Sequence, residues 1–242
     1  MRLENMIHRR ILLLVLAFCF GFAAPASSSA ETIAVIGTGS VGGALGPRFA
    51  AIGYTVVYGS RTPDHEDVQA LVAATSNGAS ATTPPKAAQM ADIILLAVPW
   101  TVAERVLVSL GDLTGKIIID PINPRVITDE GLADYPSFIS NAERMQALAP
   151  RSSVVKAFST FSSDTMTDPG LVNHPITIPL AGNDADAKSI VADICHRLGF
   201  ETIDFGPVRY AHIIEGFYLV RVNARRDDIY FEWNYPKSKR VK

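Results

Sequence analysis

The stretch from residue 32 to residue 61, TIAVIGTGSVGGALGPRFAAIGYTVVYGSR, restricts the fold more tightly than any other part of the chain. It opens with a β-branched apolar run at 33–36, the pattern of a buried strand. Gly37-x-Gly39-x-x-Gly42 follows directly, then a helix-like segment to about residue 52, then a second apolar run at 54–58. Glycines at that spacing, between a strand and a helix, have a physical reading. Gly37 allows a tight turn, Gly39 lets the backbone approach a pyrophosphate, and Gly42 lets the helix pack close to the strand. The pyrophosphate would then rest on free N–H groups at the helix N-terminus. A bare GxGxxG is a weak signal in a chain with 17 glycines; the two flanking strands are what make it a dinucleotide site.

The end of the second strand distinguishes the two common dinucleotides. An NAD site places Asp or Glu there to hold the ribose 2′-hydroxyl. Here the strand runs out into Gly59-Ser60-Arg61-Thr62, with no carboxylate before Asp64. A hydroxyl beside a guanidinium suits a 2′-phosphate, because Arg offers a planar fork of donors and a permanent charge. The reading is therefore NADP(H), with Ser60 and Arg61 at the phosphate.

Residues 1–30 read as a signal peptide. Arg2, Arg9 and Arg10 precede an apolar run at 11–24, and Ser28-Ser29-Ala30 offers a cleavage point after Ala30. The run is short for a bilayer span of about 20 residues. The expectation is an exported protein of the periplasm or cell envelope, with a membrane partner conceivable only if the signal stays uncleaved. Arg9-Arg10 leaves the twin-arginine and unfolded-chain export routes both open. Loss of this segment takes the net charge from −2 to −4, since three Arg and one Glu go with it. No basic block precedes the C-terminus, so nucleic acid is not an expected partner. Cys195 would be the sole remaining cysteine, which precludes an internal disulfide. Its helical surroundings give it the role of a small buried apolar side chain.

Beyond the first unit, helices are expected over 64–74, 84–91, 101–110, 141–148, 185–198 and 209–222. Strands are expected at 80–82, 93–98, 116–120, 154–158, 176–180 and 201–204. The apolar runs at 93–98 and 116–120 read as strands buried on both faces. Alternating strands and helices imply a doubly wound α/β fold with a mostly parallel sheet, a Rossmann-type domain over 31–205 followed by a helix and tail over 206–242. Residues 123–140 read as one long loop. Pro47, inside the first helix, removes an N–H and predicts a bend or early break.

In such a sheet the ligand lies beyond the carboxyl ends of the strands. That rule selects residues 37–42, 60–61, 97–100, 120–124 and 158–160. Trp100 could cover a nicotinamide or cap the core, and Asn123 could bond the nicotinamide ribose or merely shape a turn. Lys156, two residues before Phe158 in an apolar strand, either faces the crevice or forms a structural ion pair. No acid–base pair stands out: His65, His174, His196 and His212 are scattered, and no spacing suggests a metal site. Hydride exchange between a nicotinamide and a flavin-like ring asks little of protein acids, because the cofactors carry the reaction and the protein aligns them.

The ordered motifs IAVIGTGSVGGAL, VVYGSRTP, DIILLAVPW, GKIIIDPINP, VVKAFSTF, LAGNDADAK and DFGPVRYAHIIE resemble the deazaflavin-dependent NADP oxidoreductases. They are also similar to the cytosolic NADP-binding domain of six-transmembrane metalloreductases. The resemblance implies that Thr38, Gly39, Ser40 and Val41 hold the pyrophosphate, that Ser60 and Arg61 hold the 2′-phosphate, and that Val98, Pro99, Trp100 and Asn123 line the cofactor. It implies an NADP-dependent oxidoreductase with a flavin- or deazaflavin-like acceptor. A ferric or cupric reductase module and a non-catalytic NADP-binding protein of the envelope are the alternatives. Two departures stand out. His65 takes the neighbourhood where such proteins often carry a further Lys or Arg. The tail, with Tyr230, Phe231, Trp233 and Tyr235 before a basic end, could form an acceptor pocket, a homodimer contact or simple packing on the sheet.

Overall fold

The computed structural model describes residues 31–172 and 175–226. The signal-like segment, His174 and the aromatic tail lie outside the described residues.

The first unit forms as its sequence predicts: β1 (Thr32–Ile36), α1 (Ser40–Ala51) and β2 (Thr55–Gly59). After it come α2 (Glu66–Ala74), β3 (Ser80–Thr82), α3 (Pro84–Gln89), β4 (Ile93–Leu96), α4 (Trp100–Ser109) and β5 (Ile117–Asp120). The second half comprises β6 (Val126–Ile127), β7 (Ala133–Asp134), α5 (Asn141–Leu148), β8 (Ser153–Lys156), α6 (Ser163–Thr167), β9 (Thr177–Gly182), α7 (Ala185–Arg197), β10 (Glu201–Asp204) and α8 (Ala211–Arg226). Eight strands form one sheet in the order β3-β2-β1-β4-β5-β8-β9-β10. Every neighbouring pair is parallel except β8 and β9. The expected doubly wound, mostly parallel α/β sheet is thus present, with a helical C-terminal part.

Alternation along the strands explains how the sheet is covered. Ile33, Val35, Ile93 and Leu95 join a core shared with Leu45 and Phe49 of α1 and Val191 and Ile194 of α7. Ala34, Ile36, Ile94, Leu96 and Ile118 face the other way, against Ala87 of α3, Leu107 of α4, Met145 of α5 and Ile214 of α8. Both faces being buried, the strand residues carry the continuous apolar runs expected of a covered parallel sheet.

Three expectations need correction. No early break occurs at Pro47, since α1 runs through it to Ala51, with Leu45, Phe49 and Ala50 buried on either side of the missing N–H. Residues 123–140 are not one structureless loop, because β6 and β7 pair there as a two-stranded antiparallel ribbon. The last helix begins as a 3-10 turn, Val208–Tyr210, before α8 proper.

Candidate active site

The strand register brings the five selected segments to one level. Ile36 of β1 pairs with Gly59 of β2 and Leu96 of β4, and Asp120 of β5 pairs with Lys156 of β8. The ladder continues one residue further, with Gly37 N donating to Gly59 O at 3.0 Å, Ala97 N to Ile36 O at 2.8 Å and Ala157 N to Asp120 O at 3.2 Å. Chain segments 37–42, 60–61, 97–100, 120–124 and 158–160 therefore leave the same edge of the sheet side by side.

Each glycine of the turn has a distinct job. Gly37 sits at φ +105°, and a Cβ there would lie 2.2 Å from the Ala97 carbonyl oxygen. A Cβ on Gly42 would lie 2.0 Å from the Gly37 carbonyl oxygen. Both positions are closed to any side chain by backbone packing. Gly39 is the opposite case: a Cβ there would meet nothing within 4 Å. It precedes α1 as the N-cap residue, makes no side-chain cap bond, and the first turn carries no acidic residue. The leading amides of α1, around Ser40 and Val41, thus present an uncompensated partial positive charge, the condition that favours an anion. Thr38 is half-buried at the mouth of this turn.

At the end of β2, Ser60 is buried and its Oγ accepts from Thr62 N at 3.2 Å. Arg61 is exposed. His65, by contrast, is occupied as the cap of α2, its Nδ1 accepting from Asp67 N at 3.3 Å. Beyond β4, Val98 is half-buried, Pro99 exposed, and Trp100 opens α4 with its ring against the second core. Val98 packs on the same core, and half-buried Trp100 keeps both of its readings.

The floor lies between β5 and β8. Asn123 Nδ2 donates to the Ser159 carbonyl at 2.7 Å. Asn123 Oδ1 and Ser159 Oγ are both buried without a hydrogen-bond partner among the described residues. Orphaned buried polar atoms are uncommon in a native fold and call for an occupant. Phe158, between Lys156 and this floor, is fully buried at φ +57°, a conformation rarely adopted by a bulky residue.

Behind the floor is a charged network that the sequence only half disclosed. Lys156 is the ion-pair residue of the two alternatives, not a crevice charge. Its Nζ donates to Asp120 Oδ2 at 3.3 Å, to Glu215 Oε1 at 2.8 Å and to the Ile122 carbonyl. Asp120 Oδ1 accepts from Ile122 N at 2.9 Å and Asn141 Nδ2 at 3.0 Å, and Glu215 Oε1 accepts from Asn141 N at 3.0 Å. Burial pushes the Glu215 carboxyl up to about 7, with Lys156 opposing and Asp120 adding to the rise. Sequence reasoning missed Glu215. The signal was present, since Ala211, Glu215 and Leu219 fall on one buried stripe at four-residue spacing.

Cys195 is buried, and burial raises its thiol well above the usual range, so it has the structural role expected of it. Among the described residues no group of three or more His, Cys, Asp or Glu is placed to hold a metal ion, and no helix is long and apolar enough to cross a membrane.

Residues 32–124 match the family described as NADP oxidoreductase, coenzyme F420-dependent. The chain is 29% identical over 201 residues to the metalloreductase STEAP3 of Rattus norvegicus, covering 82% of this chain and 38% of that protein. It is 28% identical over 210 residues to the F420-dependent NADP reductase of Methanothermobacter thermautotrophicus, covering 80% of this chain and 89% of that one. Among solved structures, a provisionally named F420-dependent NADP reductase from Arthrobacter sp. FB24 superposes with a TM-score of 0.74 at 26% identity, covering 81% of this chain and 93% of that one. The chain spans well under half the length of the curated metalloreductases it matches.

Proposed function

We propose that this chain, whose residues 32–124 match the family described as NADP oxidoreductase, coenzyme F420-dependent, transfers hydride between NADPH and a flavin- or deazaflavin-like acceptor. The observation that carries the reading is a set of unmet groups spread along one crevice: the uncapped start of α1 at Gly39, the exposed Arg61, and the unpartnered Asn123 Oδ1 and Ser159 Oγ. They fall in the order that a dinucleotide presents its parts, with the pyrophosphate at 38–42, the 2′-phosphate at Ser60 and Arg61, and the nicotinamide end beside Val98, Pro99 and Asn123. Bound NADPH would supply two electrons as hydride from C4 of its nicotinamide, the accompanying proton coming from water. The chain's part is to bind, to orient and to keep the floor dry. A flavin-like acceptor is supported by the scarcity of acid–base groups at the floor among the described residues, where a carbonyl or imine acceptor would need a proton donor.

The test is turnover by purified protein, read as loss of nicotinamide absorbance with flavins, deazaflavin and ferric or cupric chelates as acceptors. Flavin or deazaflavin reduction supports the proposal. The likeness to metalloreductases favours a second reading, a ferric or cupric reductase module acting with a flavin and a membrane haem partner, and reduction of the chelates through added flavin would favour it. Tight NADPH uptake with no acceptor consumed would leave a non-catalytic binding protein. The basic-apolar-small pattern of residues 1–30 supports a periplasmic or cell-envelope location, checked by N-terminal sequencing of the fractionated protein. A homodimer through the C-terminal part is checked by sedimentation.

A further inference from the structure

Four buried side-chain polar atoms lack a hydrogen-bond partner among the described residues. Two, Asn123 Oδ1 and Ser159 Oγ, form the floor. The other two, His212 Nδ1 and Arg221 Nε, lie on α8. That helix is fixed to the floor's supporting network by Glu215, and farther along it Asn223 clasps the backbone of Ala133 in β7, accepting from its N–H at 2.6 Å and donating to its carbonyl at 2.9 Å. Between those two anchors stands Tyr218. Two guanidiniums gather around its ring: Arg125 Cζ is 5.6 Å and Arg221 Cζ 5.5 Å from the centroid, and Arg125 also donates to the Tyr218 hydroxyl.

Three other arginines of the described residues, Arg144, Arg151 and Arg197, are each neutralised by a carboxylate. Neither Arg125 nor Arg221 has a carboxylate partner among the described residues, and Arg225 stands one helical turn beyond Arg221. Burial, and then repulsion from Arg225, holds the Arg221 guanidinium below its ordinary range. Like charges gathered on a protein with net charge −2, with a buried donor left unmet, are the arrangement of an anion site awaiting its ligand. Its position is set by the chain. Arg125 is two residues past Asn123, so its backbone lies within about 7 Å of the floor residue.

We propose that Arg125 and Arg221, braced by Tyr218, bind an anionic group, phosphate or carboxylate, carried by the hydride acceptor. The acceptor's ring would meet the nicotinamide end at Asn123 and Ser159 while its anionic tail reaches the arginines. Specificity for tailed acceptors over bare rings follows, because the ring alone leaves both guanidiniums without a countercharge. This inference rests on the crevice holding NADPH as proposed above.

FMN and riboflavin separate the two ideas, since they share a ring and differ in the phosphate. Binding is read by quenching of flavin fluorescence at low salt, with NADP+ present, and NADPH uptake is measured separately by calorimetry. The wild-type protein should bind FMN at least about tenfold more tightly than riboflavin, the scale of one hydrogen bond to a charged group. In Arg125→Gln and Arg221→Gln that ratio should fall toward one, Arg221→Lys should restore part of it, and NADPH uptake should persist. Competition by inorganic phosphate and by glutarate distinguishes a phosphate-selective from a carboxylate-selective site. An FMN-to-riboflavin ratio near one in the wild type, or an unchanged ratio in both Gln variants, overturns the inference while leaving NADPH binding intact. Failure of NADPH uptake by the wild type would instead overturn the reading on which it rests.

Discussion

The Lys156 ammonium reaches Glu215 Oε1 across 2.8 Å, in an interior where the two side chains are 0% and 2% exposed. A strand near the middle of the sheet is thereby bonded to the last described helix. Asp120 and the Asn141 amide share the same pocket, so one ammonium serves two carboxylates. Such a pocket titrates.

Glu215 should make stability depend on pH. Its carboxyl holds a proton up to about 7 when folded, against an ordinary value of 4.5. Between those values the folded state binds more protons than the unfolded state, so stability falls as pH rises through that window and levels off above it. The loss from this group is at most about 3 kcal/mol. The groups facing it are Lys156 and Asp120, with Tyr135 nearby. Thermal unfolding from pH 4.5 to 8 should show the decline, and Glu215→Gln should flatten it. A slope unchanged in Glu215→Gln would remove the assignment.

Lys156→Met should be far more damaging than Glu215→Gln above neutral pH. It leaves Asp120 and Glu215 buried together without their cation, a loss of about 3–5 kcal/mol. Urea denaturation of the two variants at one pH compares them directly.

The three glycines should separate folding from binding. Gly42→Ala forces a Cβ against the Gly37 carbonyl and should lower stability by roughly 1–3 kcal/mol, or prevent folding. Gly39→Ala has open space at φ −80°, so its melting temperature should stay close to wild type while NADPH affinity drops. Circular dichroism melts paired with NADPH calorimetry read both quantities. A Gly39→Ala protein with full NADPH affinity would argue against pyrophosphate at this turn.

Arg61→Ala should weaken NADPH by roughly ten- to a hundredfold, the scale of about 1.5–3 kcal/mol for a bond to a charged group. NADH should be nearly unaffected, because it lacks the phosphate that Arg61 would hold. Parallel titrations with the two coenzymes decide the matter; equal losses for both would withdraw the 2′-phosphate from this residue.

Asn123→Ala offers a check at the opposite end of the crevice. Among the described residues its Oδ1 has no partner to lose and its Nδ2 has one, the Ser159 carbonyl. The coenzyme-free protein should therefore lose about 1 kcal/mol or less, while the rise in melting temperature on adding NADPH should shrink markedly. Differential scanning calorimetry with and without NADPH measures both.

Much of this was legible before any coordinates. The first βαβ unit and the five crevice segments follow from glycine spacing, apolar runs and the rule of strand carboxyl ends, because those signals are local. What escaped was set by distant partners. Residues 126–127 and 133–134 are too short to display an alternating pattern, so their pairing as β6 and β7 is invisible in sequence. The reversal of β9 against β8 leaves no trace in either strand, since both are buried and apolar. Lys156 announced a choice between crevice and ion pair, and only the fold supplied Glu215, 59 residues away. His65 shows the same limit, drawn to a helix cap by Asp67, a neighbour that the motif does not contain.

That long reach has a consequence for biosynthesis. The carboxylate that completes the lysine's coordination emerges from the ribosome well after the strand bearing the lysine. Until then one ammonium proton and the amide that opens α5 lack their acceptor. Nascent polypeptides should accordingly remain loosely closed around β5 and β8, and chaperone-accessible, until translation has delivered α8.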